Sequence, residues 1–139
     1  MKKIIYYVCI GLAVLILIIA LISKNIPPNE NPANDKIHLF TPTANTFIAS
    51  PLIIKGEARG NWFFEASFPV FLTDWDGLII AQGIAQAEGE WMTTEFVPFT
   101  ATLNFAKPGY GSTGSLILKK DNPSGLPEHD DALEITVRF

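Results

Sequence analysis

Phe68-Pro69-Val70-Phe71-Leu72-Thr73-Asp74-Trp75-Asp76-Gly77-Leu78-Ile79-Ile80-Ala81-Gln82-Gly83-Ile84-Ala85-Gln86-Ala87 is the stretch from which the fold is read. Two apolar runs flank an Asp-Gly pair whose residues tolerate positive φ, so the pattern predicts a β-hairpin. Outward from it the same grammar repeats. Leu52 to Ala58 alternates, with Leu52, Ile54 and Ala58 on one face, and Ile37-His38-Leu39-Phe40 alternates up to Thr41-Pro42. Phe96 to Phe105 sets Phe99, Ala101, Leu103 and Phe105 together, and Pro98 marks an edge or a bulge. Gly114 to Lys119 carries Leu116 and Leu118 on one face, and Leu133 to Phe139 alternates apolar and polar. No segment after residue 24 has a helical period. Seven short strands in roughly 100 residues predict an immunoglobulin-like, two-sheet antiparallel sandwich. An eight-stranded barrel would need one strand more. The expected core is Leu52, Ile54, Val70, Leu72, Phe99, Leu103, Leu116, Leu118, Leu133, Ile135 and Val137. With Cys9 the single cysteine of 139 residues, neither an intrachain disulfide nor a cysteine zinc cluster can form.

The N-terminal third is of another kind. Ile4 to Ile22 holds no charged residue, and as a helix it would span roughly 28 Å, close to the hydrocarbon core of a bilayer. A cleaved signal peptide would have a shorter apolar region and small residues at the cut, whereas here Ala20 and Ile22 flank Leu21. The expectation is a transmembrane anchor over residues 1–24. Lys2 and Lys3 favour a cytoplasmic N-terminus, placing the remainder outside the cytoplasm at the cell membrane. Residues 25–36, with three prolines, read as a tether, and residues 37–139 as the domain. Beyond Lys24, seven basic residues stand against all fourteen acidic ones, a net −7. Such a surface repels phosphate backbones, which argues against nucleic acid as a partner.

Several segments, in order, resemble one family. They are Ser50 to Glu65 (SPLIIKGEARGNWFFE), Asp74-x-Asp76-Gly77, Gly89-Glu90-Trp91-Met92 with Phe96-Val97-Pro98-Phe99, and Asp121 to Glu128 (DNPSGLPE) with Asp130-Asp131-Ala132-Leu133. Together they are similar to the Gmad2 domain, an immunoglobulin-like domain of bacterial surface and spore-germination proteins. The resemblance covers roughly Ile37 to Phe139. It implies the sandwich and a bacterial, extracytoplasmic setting, and it brings no catalytic residue with it.

In a sandwich with strands in this order, the loops Arg59–Glu65, Glu88–Glu95 and Lys120–Asp131 meet at one end. That end would gather Trp62, Phe63 and Trp91 with Glu88, Glu90, Glu128, Asp130 and Asp131, the mixture of rings and carboxylates that a sugar or peptide site uses. The opposing reading is that the aromatics fold inward and seal the core. Asp121, Glu128, Asp130 and Asp131 are candidate calcium ligands without the spacing of a known loop. Asp74 and Asp76 read as turn formers around an exposed Trp75. Gly109-Tyr110-Gly111-Ser112-Thr113-Gly114 has the letters of a dinucleotide-binding motif but opens no helix, so it reads as a turn. The two histidines, His38 and His129, have no cysteine or nucleophile-elbow serine to serve. The sequence therefore predicts a binding module without catalysis or cofactor. Its expected partners are the membrane, through the anchor, and either an envelope protein or, alternatively, a cell-wall glycan held by Trp62 and Trp91.

Overall fold

A computed structural model describes residues 31, 32 and 34–139. The expected anchor lies outside the described residues, as does most of the tether. Seven strands follow in order: β1 (Ile37–Thr41), β2 (Leu52–Arg59), β3 (Ser67–Thr73), β4 (Ile79–Ala87), β5 (Phe96–Leu103), β6 (Thr113–Lys119) and β7 (Ala132–Arg138). Each coincides with one of the expected apolar runs. The hairpin between β3 and β4 forms where Asp-Gly places it. Only Gly77 takes the left-handed conformation, with φ +83. Asp74 works through its carboxylate instead, Oδ1 accepting from the amides of Asp76 and Leu78 at 2.9 Å each.

All strand pairs are antiparallel, in the order β1-β2-β5-β4-β3-β6-β7. Where two separate sheets were expected, one ladder runs through both layers. The end of β4 makes the join: Gln86 pairs with Ser67 on one side and with Thr100 on the other. Beyond Gln86 and Ala87 the ladder between β4 and β5 stops, and the strands diverge into a three-stranded layer (β1, β2, β5) and a four-stranded one (β4, β3, β6, β7). Gly83 permits the close approach beside the join, since a Cβ there would stand 2.6 Å from Leu103 Cδ2. The far side nearly closes too. The segment after β1 runs parallel to β7, with Phe47 opposite Arg138 and amide bonds from Asn45 to Thr136 O (2.7 Å) and from Ile48 to Arg138 O (2.8 Å). Covering β7 in this way protects an edge that would otherwise pair with other chains.

The core lies between the layers. Strand β2 shows the rule, its residues alternating buried and accessible from Leu52 onward. All eleven residues of the expected core are buried, and Ile37, Trp62, Phe63, Phe68, Val97 and Phe139 join them. Phe68 of β3 meets Phe99 of β5 edge-to-face across the layers at 4.9 Å between centroids. Such pairs contribute about 0.5–1.5 kcal/mol beyond the area they bury. Before β1 the chain is already fastened. The side chain of Asn31 donates to Leu39 O (2.7 Å) and Pro42 O (3.0 Å) and accepts from Ala44 N (2.7 Å). Asn34 Oδ1 accepts from the amides of Lys36 and Ile37. The last residues of the expected tether are thus part of the domain surface.

Candidate functional site

Strands β1, β3, β5 and β7 begin at the end of the sandwich where β2, β4 and β6 finish, so three connections share that end with the chain's entry. They are bonded together. Gly60 N donates to Glu95 O at 3.1 Å, and Asp121 N to Trp62 O at 3.1 Å. A Cβ at Gly60 would run into the carbonyl oxygens of Trp91 and Thr93, so the second of these loops rests on backbone that only glycine offers.

Of the aromatics expected at this end, the structure withdraws two. Trp62 is 0 % exposed and Phe63 is 4 % exposed. Both turn inward onto Phe68, at 6.4 and 5.3 Å between centroids, because a short 3-10 turn over Gly60–Trp62 folds the chain back across the open end of the core. They seal the sandwich, and Trp62 presents no ring to a ligand. The Trp62 Nε1–H, closed off from solvent, has no acceptor among the described residues. Trp91 stays half-buried and lines a shallow depression of about 550 Å³ with Phe63, Met92 and Asn61. A stacking pair of Trp62 and Trp91 is therefore absent from the surface.

The carboxylates are distributed rather than convergent. Asp130 accepts from Asn122 Nδ2 at 2.9 Å, and Asp131 holds the Lys36 ammonium at 2.7 Å. That bond, together with the attraction of the carboxylate, raises the Lys36 ammonium above its ordinary range. Glu88 accepts from the Thr100 hydroxyl, and Glu90 from the amide of Met92. Glu128 lies in an exposed 3-10 turn over Pro127–His129. The rest of this connection is locally tied. Ser124 Oγ donates to Asn122 Oδ1 at 2.5 Å and lies 3.1 Å from His129 Nδ1, and Lys120 Nζ donates to His129 O at 3.0 Å. Among the described residues no three histidine, cysteine or acidic side chains come together as a metal site. Asp121, Glu128, Asp130 and Asp131, the calcium candidates considered from the sequence, are thus not gathered as a set of three among the described residues.

A surface that the sequence reading passes over lies on the outside of the four-stranded layer. Register places Pro69 directly opposite Ile84, and Phe71 between Gln82 and Ile117. Ile84 is 57 % exposed, while Pro69, Phe71 and Ile117 are half-buried and face outward. The signal was present in β3. Phe68-Pro69-Val70-Phe71-Leu72 is apolar at five successive positions, whereas a strand with one wet face should alternate. Pro69 also shapes the surface. Having no amide hydrogen, it sits just beyond the β3–β6 ladder, which starts at Val70↔Leu118. There the strands part, leaving a depression of about 360 Å³ lined by Pro69, Phe71, Lys119, Lys120, Asp121 and Asn122 among others. A second, also about 360 Å³, adjoins it over Pro69, Phe71, Gln82, Gly83 and Ile84.

Compared with known proteins, the chain matches the family model of Gmad2, described as the immunoglobulin-like domain of bacterial spore germination, over residues 36–125. No curated protein and no solved structure matches it.

Proposed function

The chain belongs to the Gmad2 family of immunoglobulin-like domains, and we propose that it is a non-catalytic binding module, held at the bacterial cell membrane by residues 1–24, that acts outside the cytoplasm by contacting another envelope protein. The observation that carries this reading is the outer face of the four-stranded layer. Ile84, Pro69, Phe71 and Ile117 form one connected apolar strip on a face that the fold itself leaves uncovered. Cross-strand pairing on this face contributes only about 0.2–1 kcal/mol per pair, and contiguous apolar surface on a folded domain marks a site of contact. Half-buried Phe71 at its centre is the kind of anchor on which interface energy concentrates. The apolar run Ile4–Ile22 supports the membrane setting, and the net −7 outside it agrees with a partner other than nucleic acid.

The test is the size of the complex in gentle detergent extracts of the native membrane. The wild-type chain is expected to migrate in an assembly larger than itself, and a Phe71→Ser, Ile84→Ser double variant as the free chain. A double variant that stays in the assembly, while remaining folded, would refute the assignment of this face.

A further inference from the structure

Two segments that read as turns in the sequence meet at the end of the sandwich opposite the chain's entry. The hairpin between β3 and β4 carries Trp75 at its tip, and the connection from β5 to β6 carries Gly109-Tyr110-Gly111. Gly111 lies directly against the indole. A Cβ at that position would stand 2.9 Å from Trp75 Cγ and 3.3 Å from Trp75 Cβ, and the residue has φ +73. Glycine is required there twice over, by the conformation and by the contact. The backbone thus braces the indole along its five-membered ring, while the side chain remains 61 % exposed. Tyr110, the next residue along, is 84 % exposed.

The platform is stiff on one side. Beneath Trp75 the hairpin is closed by the two amide bonds to the Asp74 carboxylate and by Gly77 N donating to Asp74 O at 3.2 Å. Polar residues flank the aromatics in the chain: Asp76 is exposed on the same tip, and Ser112 and Thr113 are exposed just past Gly111. Lys107 is exposed earlier in the same connection, and Leu78 on the shoulder of the hairpin. The fold does not explain either ring, since neither is buried in it.

We propose that Trp75 and Tyr110 form a binding platform for a pyranose glycan chain, separate from the apolar face of the four-stranded layer. A sugar ring presents C–H bonds on one side and hydroxyls at its rim. Its flat side stacks on an aromatic ring, and its hydroxyls need a few acceptors close by. Two exposed aromatic rings on neighbouring loops, with Asp76 next to Trp75 in the chain and Ser112 two residues past Tyr110, each exposed, supply both. Rings set singly among polar residues suit a sugar better than a continuous apolar protein surface. The position suits a cell-wall polymer as well. Strand β3, seven residues long, separates the platform from the chain's entry by roughly 23 Å. The rings therefore sit on the loops at the end of the sandwich opposite the one at which the chain arrives.

The experiment uses the full chain in mild detergent, with two probes: purified peptidoglycan sacculi, read by pelleting, and the soluble N-acetylglucosamine hexamer, read by calorimetry. The wild type is expected to pellet with sacculi, and to lose that binding when the glycan strands are cut by a muramidase. Trp75→Ala should weaken binding about tenfold or more and Tyr110→Ala less, the loss of one stacked ring being of that order. Tyr110→Phe should bind as the wild type does, since stacking needs the ring and not the hydroxyl. Hexamer binding with the same variant order identifies the sugar itself as the ligand. Pelleting without hexamer binding, still abolished by muramidase and by Trp75→Ala, identifies the assembled glycan strand. Sacculus binding that survives muramidase, or that is unchanged in Trp75→Ala, overturns the proposal, as does no binding to either probe. Unaltered circular dichroism of the variants excludes unfolding as the cause of a loss. The Phe71→Ser, Ile84→Ser variant should pellet normally, so this proposal and the protein-contact reading can fail independently.

Discussion

On the outer face of the three-stranded layer, the apolar residues of β2 and β5 lie opposite polar or charged ones. On the outer face of the four-stranded layer, apolar side chains lie opposite one another. In the first, Ile53 pairs with Thr102, Glu57 with Pro98 and Arg59 with Phe96. Phe96 is capped further, with the His38 ring stacked on it at 4.4 Å and the Arg59 guanidinium 3.9 Å from its centroid. His38 in turn meets Glu57 at 2.9 Å. Phe40 of β1, at the irregularity between β1 and β2, is the exposed exception on that layer. In the second, Pro69 opposes Ile84 and Phe71 opposes Ile117, with Gln82 and Glu134 on their other flanks. Both layers bury an inner face, although in β4 only Ala85 is fully buried, so the need to bury a core does not by itself account for the difference outside. The proposed contact with a partner rests on this difference between the two outer faces.

That contrast can be broken or sharpened by variants on single strands, and the largest effect is expected on an inner face. Phe68→Ala removes the ring that touches Trp62, Phe63 and Phe99. It should cost about 3–5 kcal/mol in chemical denaturation, the range for deleting a buried aromatic. Three residues along the same strand, Phe71→Ser should cost about 1 kcal/mol or less, as half-exposed positions do, while releasing the chain from its complex. A loss of stability as large as that of Phe68→Ala would mean that Phe71 belongs to the core. On the opposite layer, Arg59→Ala should cost about 0.5–1 kcal/mol through the lost cation–π contact and leave the complex intact. The smallest effect concerns the entry of the chain. The Lys36 ammonium is raised above its usual range by Asp131, so its contribution is fully present below the ordinary lysine pKa. It is lost only as pH climbs through the raised value. Wild-type and Asp131→Asn proteins should therefore show the same flat dependence of melting temperature on pH between about 6 and 9, parting only in strong alkali.

The strands were legible because each carries its own signal. Leu133-Glu134-Ile135-Thr136-Val137 alternates over enough residues to fix both the strand and the face it buries. The joining of the layers was not, since it rests on two residue pairs at the end of β4, and pairing of that kind is decided by the path of the whole chain rather than by Gln86 or Ala87 themselves. At the loop end, topology correctly brought three connections together, but the direction of a side chain in a loop has no periodicity behind it. Trp62 and Phe63 could be read as a ligand platform or as a plug over the core, and they serve as the plug. The apolar face was written in the unbroken run Phe68–Leu72, which reads as a strong strand before it reads as an anomaly. The neighbourhood of Trp75 and Gly111 joins segments 36 positions apart in the chain and could come only from coordinates.

The most direct test of the account places a photoactivatable amino acid at Ile84, on the outer face of the four-stranded layer, and separately at Ile53, on the outer face of the other, in cells producing the full chain. The account predicts a discrete crosslinked protein from position 84 and none from position 53. Equal labelling from both positions, or crosslinks from position 53 alone, would contradict it.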